Sequence, residues 1–394
     1  MINLDFLHNL GYHGQNMIIA QLDAGFFGVD TMHVFDSLRN DNRILGVKDF
    51  VNPGGNVYSE HTHGMMVLSL MAGNISGQLI GTSPKAEFWL LRSEDAPTEY
   101  IIEEYNWVSA AEFADSVGAD IINSSLGYSI FDDTLQNHTY DDLDGSTTVV
   151  SRGANIAASR GILVVNSAGN SAQTPWHRII APADADSVLT IGAVDENENY
   201  APFSSVGNTA DGRIKPDIVS QGANTVVASA QGGIMTGNGT SFSSPLIAGA
   251  VACLWQANPN ATNIQIINTV KLSANQFNNP DSLLGYGIPN FALAHTLLAN
   301  LNINEEVNNN FFTIFPNPFN DGFSLSYFSV FNQSIKIDIC DFTGKMVFLL
   351  PKIEISKGNN VLNINNLSGI SKGIYFLKVS GESMSIIRKL VKIS

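Results

Sequence analysis

The sequence has few of the features that would limit the range of possible functions. Cysteine is the first of these scarce features. Two cysteines, Cys253 and Cys340, occur in 394 residues and lie far apart along the chain. No disulfide framework is implied, and neither a Cys-x-x-Cys pair nor a Cys/His zinc pattern is present. The cysteines therefore leave the redox compartment undecided.

Basic residues and long apolar runs are also scarce. The chain has 20 Lys and Arg against 36 Asp and Glu, which gives a net charge of −16. Such an acidic surface argues against nucleic acid and anionic membranes as partners, and it is compatible with a secreted protein or with bound Ca²⁺. The chain has no run of about 18 uninterrupted apolar residues, so no membrane span is predicted.

The N-terminal segment lacks the features of a signal peptide. Residues 1–23 have no basic stretch at their start, and Asp5 interrupts any apolar core. Taken alone, this end predicts a cytoplasmic protein.

The order of segments up to about residue 300 predicts an α/β domain. Short runs rich in Ile, Val and Leu end in Gly, Asn, Ser or Asp, which is typical of strands buried on both faces. These runs are NMIIAQLD, AEFWLL, ADIINSSL, ILVVNSAGN and VLTIGAV. Helix-like segments lie between them, and such alternation indicates a parallel sheet covered by helices on both faces.

The pattern changes near residue 300. The polar, Asn-rich stretch 301–311 predicts a linker. Residues 312–394 hold short alternating segments separated by turn signals such as TGK, KGNN and SKG. This pattern predicts a small all-β sandwich as a second domain.

One serine stands where an oxyanion could be stabilised. Ser241 follows a glycine-flanked loop and precedes an apolar helix in GNGTSFSSPLIAGAVACLW, residues 237–255. Free N–H groups and the dipole at a helix start favour negative charge beside its Oγ. Taken alone, the pattern fits an ordinary N-cap serine better.

A serine nucleophile needs a base and a carboxylate that orients the base. Asp23 ends the apolar run NMIIAQLD, and strand C-termini build the sites of open α/β sheets. The segment EHTHGMMVLSLMAG places a histidine at the start of an apolar helix. The order Asp, His, Ser is that of subtilisin, and the GxSxG elbow of α/β-hydrolases is absent.

Five ordered blocks make residues 10–295 resemble the subtilisin-like serine peptidases, the subtilase family. The blocks are LDAGF, HGMMV, INSSLG, VVNSAGNS and GTSFSSPLIAG. The resemblance implies a three-layer α/β fold, peptide substrates and an acyl-enzyme mechanism that requires no cofactor. It implies a triad of Asp23, His63 and Ser241. Asn170 matches the side-chain donor of the oxyanion hole, and Ser125, Leu126 and Gly127 match the segment that pairs with substrate backbone beside the S1 pocket.

The motif also separates two neighbouring histidines. The catalytic histidine is the one followed by glycine, which is His63, and His61 matches a variable upstream position. We expect Gly64 to allow a tight turn into the helix that presents His63. The rival interpretation, a metal-dependent hydrolase using both histidines, needs further donors, and no partner motif is apparent.

Departures from the family pattern keep one alternative open. Ala24 stands where Ser or Thr is common, and Leu68 and Ile247 stand where small residues are usual. No catalytic group is lost. A catalytically weak subtilase that serves as an extracellular binding or scaffold protein is therefore the second hypothesis.

Residues 312–394 carry a resemblance of their own. FPNPFNDGF, IKIDICDFTGKMV and the ending LSGISKGIYFLKVSGESMSIIRKLVKIS resemble the type IX secretion sorting domain of exported Bacteroidota proteins. A generic β-sandwich is the alternative. The resemblance implies secretion or surface attachment and the type IX machinery as a partner. Because export needs an N-terminal signal, we expect this chain to lack a signal and a propeptide that its relatives carry.

Overall fold

The computed structural model describes residues 1–302, 312–329, 332–341, 345–356, 358–365, 367–381 and 384–393. They belong to two compact units, Met1–Leu298 and Ala299–Ser394. Most of the expected linker, residues 303–311, lies outside the described residues, and its first two positions end a helix.

The described residues form eight α-helices and eleven strands before residue 303. The helices are α1 (Asp5–Asn9), α2 (Asp36–Asn40), α3 (His63–Ala72), α4 (Ile102–Ser116), α5 (Val149–Ser159), α6 (Thr240–Gln256), α7 (Asn263–Leu272) and α8 (Phe291–Asn302). The strands are β1 (Ile18–Asp23), β2 (Ile44–Asp49), β3 (Asn74–Ile75), β4 (Leu79–Ile80), β5 (Glu87–Arg92), β6 (Ile121–Ser124), β7 (Leu163–Ser167), β8 (Val188–Val194), β9 (Ile218–Gln221), β10 (Thr225–Ala228) and β11 (Ile234–Gly237).

Seven parallel strands make the central sheet of the first unit, in the order β2-β5-β1-β6-β7-β8-β9. The five apolar runs predicted as strands are β1, β5, β6, β7 and β8, so the predicted α/β architecture is confirmed. The two edge strands were not predicted. In β2, half-buried and exposed positions alternate over the first four residues, which is the pattern of an edge rather than of a buried strand.

Helices cover both faces of this sheet because neighbouring residues of a strand point to opposite sides. Ile19 of β1 packs in the core with α3 and α6, through residues such as Met65 and Val251. The next residue, Ala20, packs in the core with α4, where Trp107 is fully buried. The carboxyl ends of β1, β6 and β7 lie at one edge of the sheet, where α3 and α6 begin.

The described residues of the second unit form two antiparallel sheets built from seven strands. They are β12 (Phe312–Phe315), β13 (Phe323–Ser329), β14 (Gln333–Asp341), β15 (Met346–Ile355), β16 (Gly358–Ile364), β17 (Gly373–Gly381) and β18 (Met384–Lys392). Strand orders are β12-β13-β16 and β15-β14-β17-β18. Leu325 and Ile364 of one sheet share a core with Ile337, Leu377 and Leu390 of the other, which confirms the predicted sandwich. The predicted TGK turn falls mostly outside the described residues.

The two cysteines are free thiols in different units. Cys253 is buried in α6, and burial raises the pKa of its thiol to about 12. Among the helices of the described residues, none has the length and apolar character needed to cross a bilayer.

Candidate active site

Strand and helix termini bring the three residues expected to act together into one place. Asp23 is the last residue of β1 and is fully buried, while His63 is the first residue of α3. Ser241 is the second residue of α6 and is buried except for 9% of its surface. His63 and Ser241 line the same cleft at the carboxyl edge of the sheet.

The imidazole of His63 is held by the carboxylate of Asp23. Nδ1 of His63 lies 2.7 Å from Oδ1 of Asp23, and the same oxygen accepts the N–H of Ala24 at 2.8 Å. Burial lowers the pKa of His63, but the negative charge of Asp23 and the hydrogen bond to it outweigh burial, so the pKa is raised above its ordinary value. Because Nδ1 donates to Asp23, Nε2 is the ring atom left to accept a proton.

Gly64 is needed for a close approach rather than for a turn. A Cβ atom at this position would lie 2.3 Å from the carbonyl oxygen of Gly25 and 2.9 Å from Cβ of Asp23. The first turn of α3 therefore lies directly against the end of β1. This contact, and not the tight turn expected from the sequence, keeps His63 beside Asp23.

Gln21 supports both partners, and sequence reasoning missed it. Its Nε2 donates to the carbonyl of Gly64 at 2.8 Å and lies 3.4 Å from Oδ2 of Asp23. Ala24 has no hydroxyl, and Gln21 supplies a second side-chain donor to the carboxylate besides Nδ1 of His63. A glutamine inside the apolar run that leads to Asp23 in the strand IIAQLD is the signal that could have revealed it, because a buried amide needs partners.

The hydroxyl of Ser241 is bonded to a backbone carbonyl rather than to the histidine in this structure. Its Oγ donates to the carbonyl of Ser125 at 3.4 Å, and within the described part of the chain no hydrogen bond joins it to His63. Ser125 in turn donates from its Oγ to the carbonyl of Ser241 at 3.0 Å. Nucleophile–base hydrogen bonds often form only when substrate binds. Before His63 could take this proton, the hydroxyl would have to leave the carbonyl of Ser125.

The amide of Asn170 is oriented by Thr240, a second residue that sequence reasoning missed. Oδ1 of Asn170 accepts the backbone N–H of Thr240 at 2.8 Å and its hydroxyl at 3.0 Å. Since both groups act as donors, the carboxamide oxygen faces Thr240. The Nδ2 donor of Asn170, an exposed residue, is therefore free to point into the cleft.

The segment after β6 forms one wall of the cleft. Ser125, Leu126 and Gly127 all line it, and the carbonyl of Leu126 accepts a hydrogen bond from Nδ2 of Asn166 at 3.2 Å. Within the described residues, the N–H and C=O of Gly127 have no hydrogen-bond partner. An extended peptide can pair with such free backbone groups as an added strand.

His61 lies beside the triad but is bound differently. It is exposed, and its Nδ1 accepts the backbone N–H of His63 at 3.3 Å, at the start of α3. The one group of three metal-ligating side chains found in the described ranges is Glu94, Glu99 and Glu103, which does not include His61 or His63. The metal-site interpretation of the two histidines therefore finds no third donor in that part of the chain.

Two of these three glutamates, Glu94 and Glu99, line the cleft. The ligating oxygens of all three lie within 4.8 Å of one another. Burial above all, together with the charges of Glu103 and Asp132, raises the pKa of Glu99 to about 7. Burial likewise raises the pKa of Glu94 well above its ordinary value, and Glu94 accepts a hydrogen bond from the hydroxyl of Tyr128. The raised pKa values of Glu94 and Glu99 favour their protonated forms, which lowers the repulsion between the neighbouring carboxyl groups.

Residues 14–287 match the model of the subtilase family, peptidase S8. The chain belongs to the subtilase family. This subtilase is 30% identical to Subtilisin BL of Lederbergia lenta over 284 residues, which cover 72% of the chain and 92% of that relative. It is 29% identical to Subtilisin NAT of Bacillus subtilis subsp. natto over 277 residues, which cover 69% of the chain and 64% of the length of that relative.

Solved structures agree with the fold of this subtilase. The self-cleaved protease domain of PatA superposes with a TM-score of 0.58 at 22% identity, covering 73% of this chain and 98% of that domain. The prenylagaramide maturation protease PagA gives 0.60 at 21% identity, covering 76% and 99%. Such identities show the fold alone. Residues 313–393 match the model of a secretion system C-terminal sorting domain.

Proposed function

We propose that this subtilase is a serine endopeptidase that hydrolyses peptide bonds through Asp23, His63 and Ser241. The observation that carries the proposal is the 2.7 Å contact between Asp23 and His63 in the cleft that Ser241 also lines. The family and the similar subtilisins support the same reaction class.

The reaction follows from the groups that meet in the cleft. Nε2 of His63 takes the proton of Ser241 as Oγ bonds to the carbonyl carbon, while Asp23 keeps Nδ1 protonated and stabilises the imidazolium. Nδ2 of Asn170 and the backbone N–H of Ser241 donate to the oxyanion. The imidazolium then protonates the leaving amine, which gives an acyl-enzyme. Water attacks the ester by the reverse sequence and regenerates the serine.

No step of this scheme uses a metal or an organic cofactor, and we propose that none is required. Activity should persist in a strong chelator when the protein stays folded. Circular dichroism in the same buffer separates loss of a structural Ca²⁺, which the acidic composition allows, from loss of a catalytic metal.

Labelling with a fluorophosphonate probe tests the proposal directly. The wild type should be labelled at Ser241, and Ser241→Ala should not be labelled, whereas Ser109→Ala, on an exposed face of α4, should label like the wild type. The rival hypothesis of a catalytically weak scaffold predicts a folded protein that is not labelled. That result would reject the peptidase proposal.

We also propose that the protein is secreted or attached to the cell surface by type IX secretion. The match of residues 313–393 to a sorting domain supports this. The test is expression behind a signal peptide in a type IX-competent host and in a host without that machinery. The full chain should reach the medium or surface in the first host only, and a chain ending at residue 310 in neither. Export that depends on neither the host nor the C-terminal unit would contradict the proposal.

A further inference from the structure

The cleft beside Ser241 has two backbone walls that leave neighbouring strands of the sheet. Strands β6 and β7 pair with Ser124 opposite Asn166, and their continuations run on past the sheet edge. One wall ends at Gly127 and the other contains Gly169. Because Gly127, Gly169 and Ser241 line one cleft, a peptide paired with the free backbone groups of Gly127 would bring a carbonyl to Ser241 and the side chain of that residue towards the two walls.

The side chain of Ile180 already occupies the space between the walls. A Cβ atom at Gly127 would lie 2.5 Å from Cγ1 and 2.6 Å from Cδ1 of Ile180. A Cβ atom at Gly169 would lie 2.9 Å and 3.0 Å from the same two atoms. Even a methyl group on either wall would therefore overlap the isoleucine. Ile180 is half-buried and lines the cleft together with Ser241, so it faces the space that a substrate enters.

The backbone fixes Ile180 in this place. Its N–H donates to the carbonyl of Ala168 in one wall at 3.3 Å. The next residue, Ala181, exchanges two hydrogen bonds of 2.8 Å and 3.0 Å with Tyr128, which follows the other wall. The segment is thus bonded to both walls, and a β-branched side chain has few rotamers through which it could move aside. A larger substrate side chain would have to displace the packed isoleucine.

We propose that Ile180 closes the S1 pocket, so that this subtilase accepts glycine, alanine or another small residue on the acyl side of the scissile bond and rejects large apolar residues. This inference rests on the proposed peptidase function. Each methylene that a pocket admits or excludes changes kcat/KM by about 10- to 200-fold. The side chains of leucine and phenylalanine are larger than that of alanine by several carbon groups, so we expect the differences in kcat/KM to be large.

Quenched fluorescent peptides that differ only at this position, with Gly, Ala, Leu or Phe, test the proposal. For the wild type, kcat/KM should fall at least about 100-fold from Ala to Phe. Ile180→Ala and Ile180→Gly should raise kcat/KM for the Phe peptide relative to the Ala peptide by about 100-fold. Ile156→Ala, an exposed isoleucine of α5, should keep the wild-type preference.

Fluorophosphonate labelling of the same wild-type sample separates the two proposals. A labelled wild type that cleaves the Phe peptide as well as the Ala peptide would overturn the role of Ile180 and leave the peptidase function standing. A folded wild type that is not labelled would overturn both. If Ile180→Gly does not fold, the wild-type profile and Ile180→Ala decide the matter.

Discussion

The side-chain amide of Gln21 donates to the backbone carbonyl of Gly64 over 2.8 Å, which ties the strand that carries Asp23 to the helix that carries His63. The same amide lies 3.4 Å from Oδ2 of Asp23. The two members of the acid–base pair are thus held by one buried side chain as well as by their own hydrogen bond. Gln21 touches no substrate in this scheme and acts as a positioning residue.

Replacing this glutamine should slow catalysis more than it weakens binding. In Gln21→Leu we expect kcat to fall by about 10- to 100-fold with KM little changed, because a small misplacement of catalytic groups is costly. Loss of buried hydrogen bonds should also lower the free energy of unfolding by roughly 1–3 kcal/mol, measured with denaturant. Gln256→Leu is the matched control, because Gln256 accepts the N–H of Gly14 away from the site. An unchanged kcat in Gln21→Leu would contradict the positioning role.

The two histidines of the EHTHGMM segment should differ sharply in their effect on kcat. His63→Ala removes the proposed base and should lower kcat by about 10⁴-fold or more. His61→Ala loses only a side chain that accepts the N–H of His63, and its kcat should stay within about tenfold of the wild type. Steady-state kinetics on one peptide substrate measures both. Similar losses at the two positions would reject the assignment of His63 as the base.

The proposed oxyanion hole gives a graded series of variants. Asn170→Ala removes a donor and should lower kcat by about 10²- to 10³-fold. Thr240→Val removes the hydroxyl that holds the amide oxygen of Asn170 but keeps the backbone N–H, so the expected loss is smaller, about tenfold. Thr240→Ser keeps the hydroxyl and should resemble the wild type. A Thr240→Val enzyme with unchanged kcat would show that the backbone bond alone orients Asn170.

The central part of the fold could be predicted from the sequence because strands buried on both faces consist mainly of consecutive apolar residues. Strands β1, β6, β7 and β8 are buried on both faces and read as continuous apolar runs. The edge strand β2 faces solvent over much of its length, and Gly46 leaves room for the ring of Trp89 from β5. The sequence around Gly46 does not indicate this contact with Trp89, so β2 was not predicted.

Some residues of the site could be predicted from short sequence motifs, whereas the roles of others depend on contacts between distant parts of the chain. Asp23, His63 and Ser241 each sit in a short motif with its own glycine, and the family resemblance named them. The roles of Gln21 and Thr240 depend on contacts across 43 and 70 positions of the chain, to Gly64 and Asn170. Such pairs become visible only when the fold brings the segments together.

The pH dependence of the reaction should report the charge of Asp23. Nε2 of His63 must be unprotonated to act as a base, so kcat/KM should rise with pH through the pKa of His63. Burial lowers that pKa, but the carboxylate of Asp23 outweighs burial, which places the midpoint above the ordinary value of a histidine. Asp23→Asn removes the negative charge that stabilises the imidazolium, and the midpoint should move to lower pH. An NMR titration of the His63 ring measures it even where kcat is about 10⁴-fold lower.

A second titrating group in the cleft must be separated from the histidine. Glu99 has a pKa of about 7 and lines the same cleft, so its ionisation falls in the same pH range. Glu99→Gln removes this ionisation with little change of shape. If His63 is the base, the rise of kcat/KM with pH persists in Glu99→Gln, and its midpoint moves to lower pH in Asp23→Asn. If this rise disappears in Glu99→Gln and its midpoint is unchanged in Asp23→Asn, the pH dependence belongs to Glu99 instead.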